Sequence, residues 1–225
     1  MAKTKAEPST NGSVNRIKDL VDKPVVIAAP NMMVATFRIY GTAPYVQNAF
    51  SHKTATQMLQ AQQATKATSR KKKDPRDIEA DFQGAMHKTE KGSYGIPAGA
   101  FRAAMISACR VAGFQMTKAK LSVFVVADGL DAADGTPLVH FDAGEPEMNK
   151  MHVRLESGVA SIAIRPMWRE WSCELKCKWD GDQFSSQDVA NLLERAGQQV
   201  GIGEGRPDSK KSCGMGWGTF TLIEP

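Results

Sequence analysis

From Trp171 to Trp179 every second residue is apolar: Trp171, Cys173, Leu175, Cys177 and Trp179 alternate with Ser172, Glu174, Lys176 and Lys178. A period of two sends successive side chains to opposite faces, so this segment is a strand with one buried and one wet face. The turn Asp180-Gly181-Asp182 ends it. Ser185 with Asp188 three residues on then resembles a capping box, with Asp in place of Glu or Gln. Val189, Leu192, Leu193, Ala196 and Val200 follow on one side of a helix, and Gly201 stops it.

Other elements extend this strand–helix unit. Val34 to Tyr40 is rich in β-branched and aromatic residues and stops at Gly41, a second strand. Pro97 suits the first position of a helix. Phe101, Met105, Ala108 and Ala112 give that helix one apolar face, and Gly113 closes it. Leu121 to Val126 is a continuous apolar run ahead of Asp128-Gly129, as expected of a strand buried on both faces. Hairpin strands are expected at Leu138 to Phe141, His152 to Glu156 and Ser161 to Ile164, and a terminal strand over Thr219 to Ile223. The major elements therefore run strand, helix, strand, strand, helix, strand. That order predicts an α+β fold with a ferredoxin-like, RRM-like core, two large insertions (41–95 and 129–166) and a C-terminal glycine-rich loop. Residues 25–225 read as one such domain behind a polar arm, 1–24.

Charge is unevenly spread. The net charge of +5 is mild, but no acid occurs from Lys53 to Lys73, where Lys53, Lys66, Arg70, Lys71, Lys72 and Lys73 are all basic. The Gln, Ala and Thr between them cannot bury a core face. This loop is either a solvated charge cluster or an arm that tracks phosphates. Four cysteines are too few for a disulfide scaffold, no apolar run approaches the ~20 residues of a membrane span, and the first residues carry no apolar leader. The expectation is a cytoplasmic protein.

Catalytic signatures are missing from the pattern. His52, His87, His140 and His152 are scattered. Cys173 and Cys177 would lie about 13 Å apart on a strand, too far to share a metal. Acids such as Asp128, Asp131, Asp134 and Glu145 sit in turn segments, where acids are common. The reading is of no enzyme, metal, cofactor or small-molecule substrate.

One constellation does point to a ligand. Between the last helix and last strand, Gly201, Gly203 and Gly205 and then Gly214, Gly216 and Gly218 frame Arg206, Lys210 and Lys211 and surround Trp217. Alternate glycines let a backbone approach a phosphate and offer N–H donors, cations add charge, and an indole can stack on a base. The loop lacks the Gly-Lys-Ser/Thr ending of a P-loop and precedes a strand, unlike a dinucleotide fingerprint. Its other reading is a structural turn that caps the helix and bends into the strand.

A ferredoxin-like core with a glycine-rich loop after its final helix resembles the RAMP superfamily, which includes the CRISPR backbone proteins that coat guide RNA. Gly41-Thr-Ala-Pro44, the run from Tyr94-Gly-Ile-Pro-Ala through Arg102, and the glycine-rich tail are also similar to a family of bacteriophage proteins. The resemblance covers residues 34–50, 94–112 and 196–222. It implies a non-catalytic single-stranded nucleic-acid-binding protein, of RNA or DNA, that multimerises along the strand in a bacterial host's cytoplasm. Its contact surface would be the basic loop, Arg102 at the helix start, and Gly203, Gly205, Arg206, Lys210, Lys211, Gly214, Gly216 and Trp217. The alternatives are a phage structural or host-interaction protein and a RAMP-type nuclease.

Overall fold

The computed structural model describes residues 27–50, 56, 59, 62, 76–154, 158–209 and 214–223. The elements below belong to the unit Asn31–Pro225. The arm 1–24 and the basic residues Lys53, Lys66 and Arg70 to Lys73 lie outside the described residues.

In chain order the elements are β1 (Met32–Gly41), β2 (Tyr45–Val46), α1 (Ile78–Gln83), β3 (Gly95–Pro97), α2 (Ala98–Ala112), α3 (Met116–Ser122) and β4 (Val123–Val125). Then come β5 (Gly129–Leu130), β6 (Pro137–His140), β7 (Glu147–Arg154), β8 (Ala160–Trp168), β9 (Ser172–Asp180), α4 (Ser186–Arg195) and β10 (Phe220–Leu222). A π-helical turn, Ala196–Val200, prolongs α4 up to Gly201.

The largest sheet has strand order β10-β1-β9-β4, with every neighbouring pair antiparallel. β1 and β9 run against each other over their whole length, from Met32 opposite Asp180 to Tyr40 opposite Ser172. The alternation in β9 is realised: Cys173, Leu175, Cys177 and Trp179 are buried, and Glu174, Lys176 and Lys178 are exposed. The inward face joins Ile39, Val123 and Phe220 in one core with Phe101, Met105 and Cys109 of α2 and Val189, Leu192 and Leu193 of α4. Both helices thus cover one face, and β1 leaves Val34, Thr36, Arg38 and Tyr40 exposed on the other. The class is α+β with antiparallel sheets.

Helix boundaries follow local chemistry. Ser185 Oγ accepts from Asp188 N at 3.1 Å while Asp188 Oδ2 accepts from Ser185 N at 3.0 Å, so the box closes with Asp as well as with Glu. Gly113 ends α2 in the left-handed region at φ 70°. Pro97 belongs to β3 and caps α2, one place earlier than expected.

One expectation needs correction. The run Leu121 to Val126 is not a doubly buried strand: Leu121 and Ser122 end helix α3, Leu121 is 80% exposed, and only Val123–Val125 pairs. That strand is at the sheet edge, where a short apolar run needs only one buried face, and periodicity cannot separate a short strand from a helix end.

Two small sheets, β2-β8-β7 and β3-β6-β5, come chiefly from segments 41–95 and 129–166. β7 and β8 form a long hairpin around Gly158, whereas β6 pairs with β3 and β5 instead of with β7. Tyr45, Phe141, Trp168 and Trp171 pack ring on ring where these sheets meet the main one. Gln47, 2% exposed, joins three segments there. Its amide nitrogen donates to Tyr45 Oη and Gly95 O, and its carbonyl accepts from His87 N. Among the described residues no helix is long and apolar enough to cross a membrane.

Candidate functional site

The glycine-rich loop lies along α2. Ala100, Ala103, Ala104 and Ser107 of the helix face Gly201–Ser209 across a cavity of about 580 Å³. Ala100, Gly203 and Arg206 also line an adjoining cavity of about 340 Å³, with Tyr45, Gln47, Asn48, His87 and Glu204 around it. The small side chains of α2, with Gly201 and Gly203 on the loop, leave room there for a ligand to approach the main chain.

Two ion pairs hold the loop in place. Asp208 Oδ2 accepts from Arg110 Nη2 at 2.6 Å and from the Ser107 hydroxyl, which ties the loop to α2. The Ser107 hydrogen bond, followed by Arg110 and Arg206, holds the Asp208 carboxyl below the usual carboxylate range. On the other side Glu204 Oε2 accepts from Arg165 Nε at 2.6 Å, tying the loop to β8, and both side chains are about one-quarter exposed.

The loop's amides mostly serve the fold. Ile202 N donates to Gly218 O, Glu204 N to Val46 O, Met215 N and Trp217 N to Gly205 O, and Gly218 N to Pro44 O. The amides of Gly203, Gly205 and Gly216 have no acceptor among the described residues. Gly203 has φ 77°, and a Cβ there would stand 2.5 Å from Val46 O. A Cβ on Gly214 would stand 2.0 Å from Arg206 O, while one on Gly216 would meet nothing within 4 Å. Most of these glycines therefore allow chain to pass against chain, and Gly216 has open space around it.

The cations and aromatics divide. Arg206 is half-buried and donates from Nη1 to Gly203 O at 3.0 Å, inside the groove. Trp217 is half-buried with its six-membered ring against Gly205. Lys210 and Lys211 lie outside the described residues. Arg102 does not join the groove: it donates to Val123 O and Lys120 O, and its guanidinium stands 4.9 Å from the centroid of Phe124.

Another arrangement has no sequence signal. His87 Nδ1 is 2.6 Å from Asp131 Oδ2, across a separation of 44 residues, with side chains 13% and 4% exposed. Asp131 Oδ1 also accepts from Ala133 N at 2.7 Å, so the carboxylate is fully positioned. With Nδ1 engaged, Nε2 is the nitrogen left for other chemistry. Asp134 and Glu145 accept from Thr136 N and the Tyr94 hydroxyl. Among the described residues no cluster of three His, Cys, Asp or Glu is arranged to hold a metal. Burial pushes the Cys173 and Cys177 thiols up, Cys177 to about 12, which makes them packing groups instead of nucleophiles.

No family model matches the chain, and no curated protein does. Among solved structures it is similar to a chain of the Type III-B Cmr-beta, described as bound to cognate target RNA and determined by cryo-EM. The TM-score is 0.40 at 9% sequence identity, over 86% of this chain, and the chain spans 59% of the length of that one.

Proposed function

We propose that this protein binds single-stranded nucleic acid without cutting it, and that copies lie side by side along one strand. The observation that carries the reading is the groove between α2 and the glycine-rich loop. Its helix wall carries small side chains, its loop is pinned by two ion pairs, and Arg206 stands within it. A preorganised groove of this kind suits a flexible polyanion, because little ordering remains to be done on binding. The strand–helix–strand–strand–helix–strand course with sheet order β10-β1-β9-β4 supports a ferredoxin-like, RRM-like core, and β2 and β5 to β8 are natural contacts between neighbouring copies. The basic segment Lys53 to Lys73 would add phosphate contacts.

The test is fluorescence anisotropy of labelled oligo(U) and oligo(dT) across a salt series, with native mass or mass photometry on strands of increasing length. Affinity falling linearly with salt on logarithmic axes, and occupancy rising stepwise with length, are the expected results. No binding to either oligomer overturns the reading. One protein per strand at every length removes the multimer alone.

A second reading, strand cleavage, is favoured by one observation: His87, positioned by Asp131, lines the cavity adjoining the groove. Product formation from a labelled strand, abolished by His87→Ala, would establish it.

A further inference from the structure

We infer that the cavity beside the groove holds a terminal phosphate of the bound strand, an inference that rests on the nucleic-acid reading above. This cavity of about 340 Å³ shares Ala100, Gly203 and Arg206 with the larger one along α2. A strand lying in the groove can therefore turn its end into it.

Hydrogen-bond accounting decides what the cavity takes. Its acceptors are spent on the protein. The Gln47 carbonyl accepts from His87 N, and Glu204 Oε2 accepts from Arg165 Nε. Asp131, which lines a separate cavity, is engaged by His87 Nδ1 and by Ala133 N. The donors are not spent. Gly203 N and the Asn48 side chain have no partner among the described residues, and Arg206 uses only Nη1, on Gly203 O. His87 keeps Nε2. Donors left over beside occupied acceptors suit a ligand that supplies acceptors alone.

Charge and direction narrow the class. Arg206 forms no ion pair among the described residues, whereas Glu204 is matched by Arg165 and Asp131 by His87. An anion at Nε2, with the Asp131 carboxylate at Nδ1, favours the charged imidazole from both sides. The donors come from three segments: Asn48 follows β2, His87 precedes β3, and Gly203 and Arg206 belong to the loop. A phosphodiester inside a strand offers two free oxygens and one charge. A terminal phosphomonoester offers three oxygens and nearly two charges, which matches donors arriving from three directions. A base edge mixes donors with acceptors and leaves its donors without partners here.

The experiment uses the full chain with internally labelled oligo(U) and oligo(dT) just long enough for one copy. Each carries a 5′-phosphate, a 3′-phosphate or hydroxyls at both ends. One phosphate end should bind about tenfold tighter than the hydroxyl form at the same salt, and the two arms tell which terminus is held. Asn48→Ala should narrow that ratio. His87→Ala/Asp131→Ala, which removes the buried carboxylate with its partner, should bring it to one. The ratio is read within each variant, so a general loss of binding does not mimic the effect. On the unmodified protein, inorganic phosphate at matched ionic strength should erase the difference between ends. If all three ends bind alike, the inference is overturned and the groove reading stands. A preference that survives both variants and inorganic phosphate overturns it too. If no strand binds, both fall.

Discussion

The indole of Trp217 lies against the α-carbon of Gly205: a Cβ there would stand 2.7 Å from Cε3, and Trp217 N donates back to Gly205 O at 3.2 Å. The two halves of the glycine-rich loop are clasped by this contact. Trp217 thus spends part of its surface on holding the loop together.

That contact separates two glycines of similar backbone. Gly205 and Gly216 both have φ 75°, but only Gly205 has a neighbour where a Cβ would go. Gly216→Ala should cost about 1 kcal/mol, the left-handed strain alone, and Gly205→Ala measurably more. Thermal and denaturant unfolding of the two variants gives the difference, and equal costs would show that the loop opens freely around Trp217.

Arg206→Ala should weaken binding of a single strand and reduce the salt slope by about 0.7, the loss of one phosphate contact. Among the described residues the side chain donates to Gly203 O alone, so melting should change little. An unchanged slope in an anisotropy series would place the phosphates elsewhere.

Asp208 gives the fold a pH dependence of known sign. Its carboxyl is held below the ordinary range by Ser107, Arg110 and Arg206, so the folded state binds its proton less readily than the unfolded chain. The stabilisation is complete above the unfolded carboxylate pKa and is lost as pH falls through the folded one. Asp208→Asn should therefore flatten part of the acid side of a stability–pH curve and leave its alkaline side unchanged. Denaturant midpoints across the acid range read this directly.

Ser185→Ala removes the side chain that accepts from Asp188 N, and should cost about 1 kcal/mol in chemical unfolding. Asp188→Glu should retain most of the cap, since Glu is the commoner partner in this box.

In a Cys213→Ser variant, a thiol reagent should find almost nothing to label in the native protein, because Cys109, Cys173 and Cys177 are buried. Labelling should appear on unfolding. Rapid native labelling would mean that the sheet's inner face opens on the timescale of the reaction.

Local order was legible because it is written between near neighbours. The Trp171 to Trp179 alternation, the Ser185–Asp188 cap and the Gly113 stop each depend on residues within a turn or on one strand, and each is present where the pattern placed it. Burial of a whole apolar face leaves such segments no second register. The α+β class followed from their order. The site was less legible. Alternate glycines signalled a chain passing close to something, and most of what they pass is the protein: Val46 O, Arg206 O and the Trp217 ring. Nothing local distinguishes a glycine that admits a phosphate from one that admits a carbonyl. Whether Leu121 ends a helix or enters a strand depended on which face the sheet edge had left to cover. His87 met Asp131 across 44 residues. Arg38 reached the same surface as Lys176 and Lys178 only because β1 pairs with β9. Those relationships come from long-range burial and hydrogen-bond satisfaction, in which each segment's place is set by partners far away in the chain.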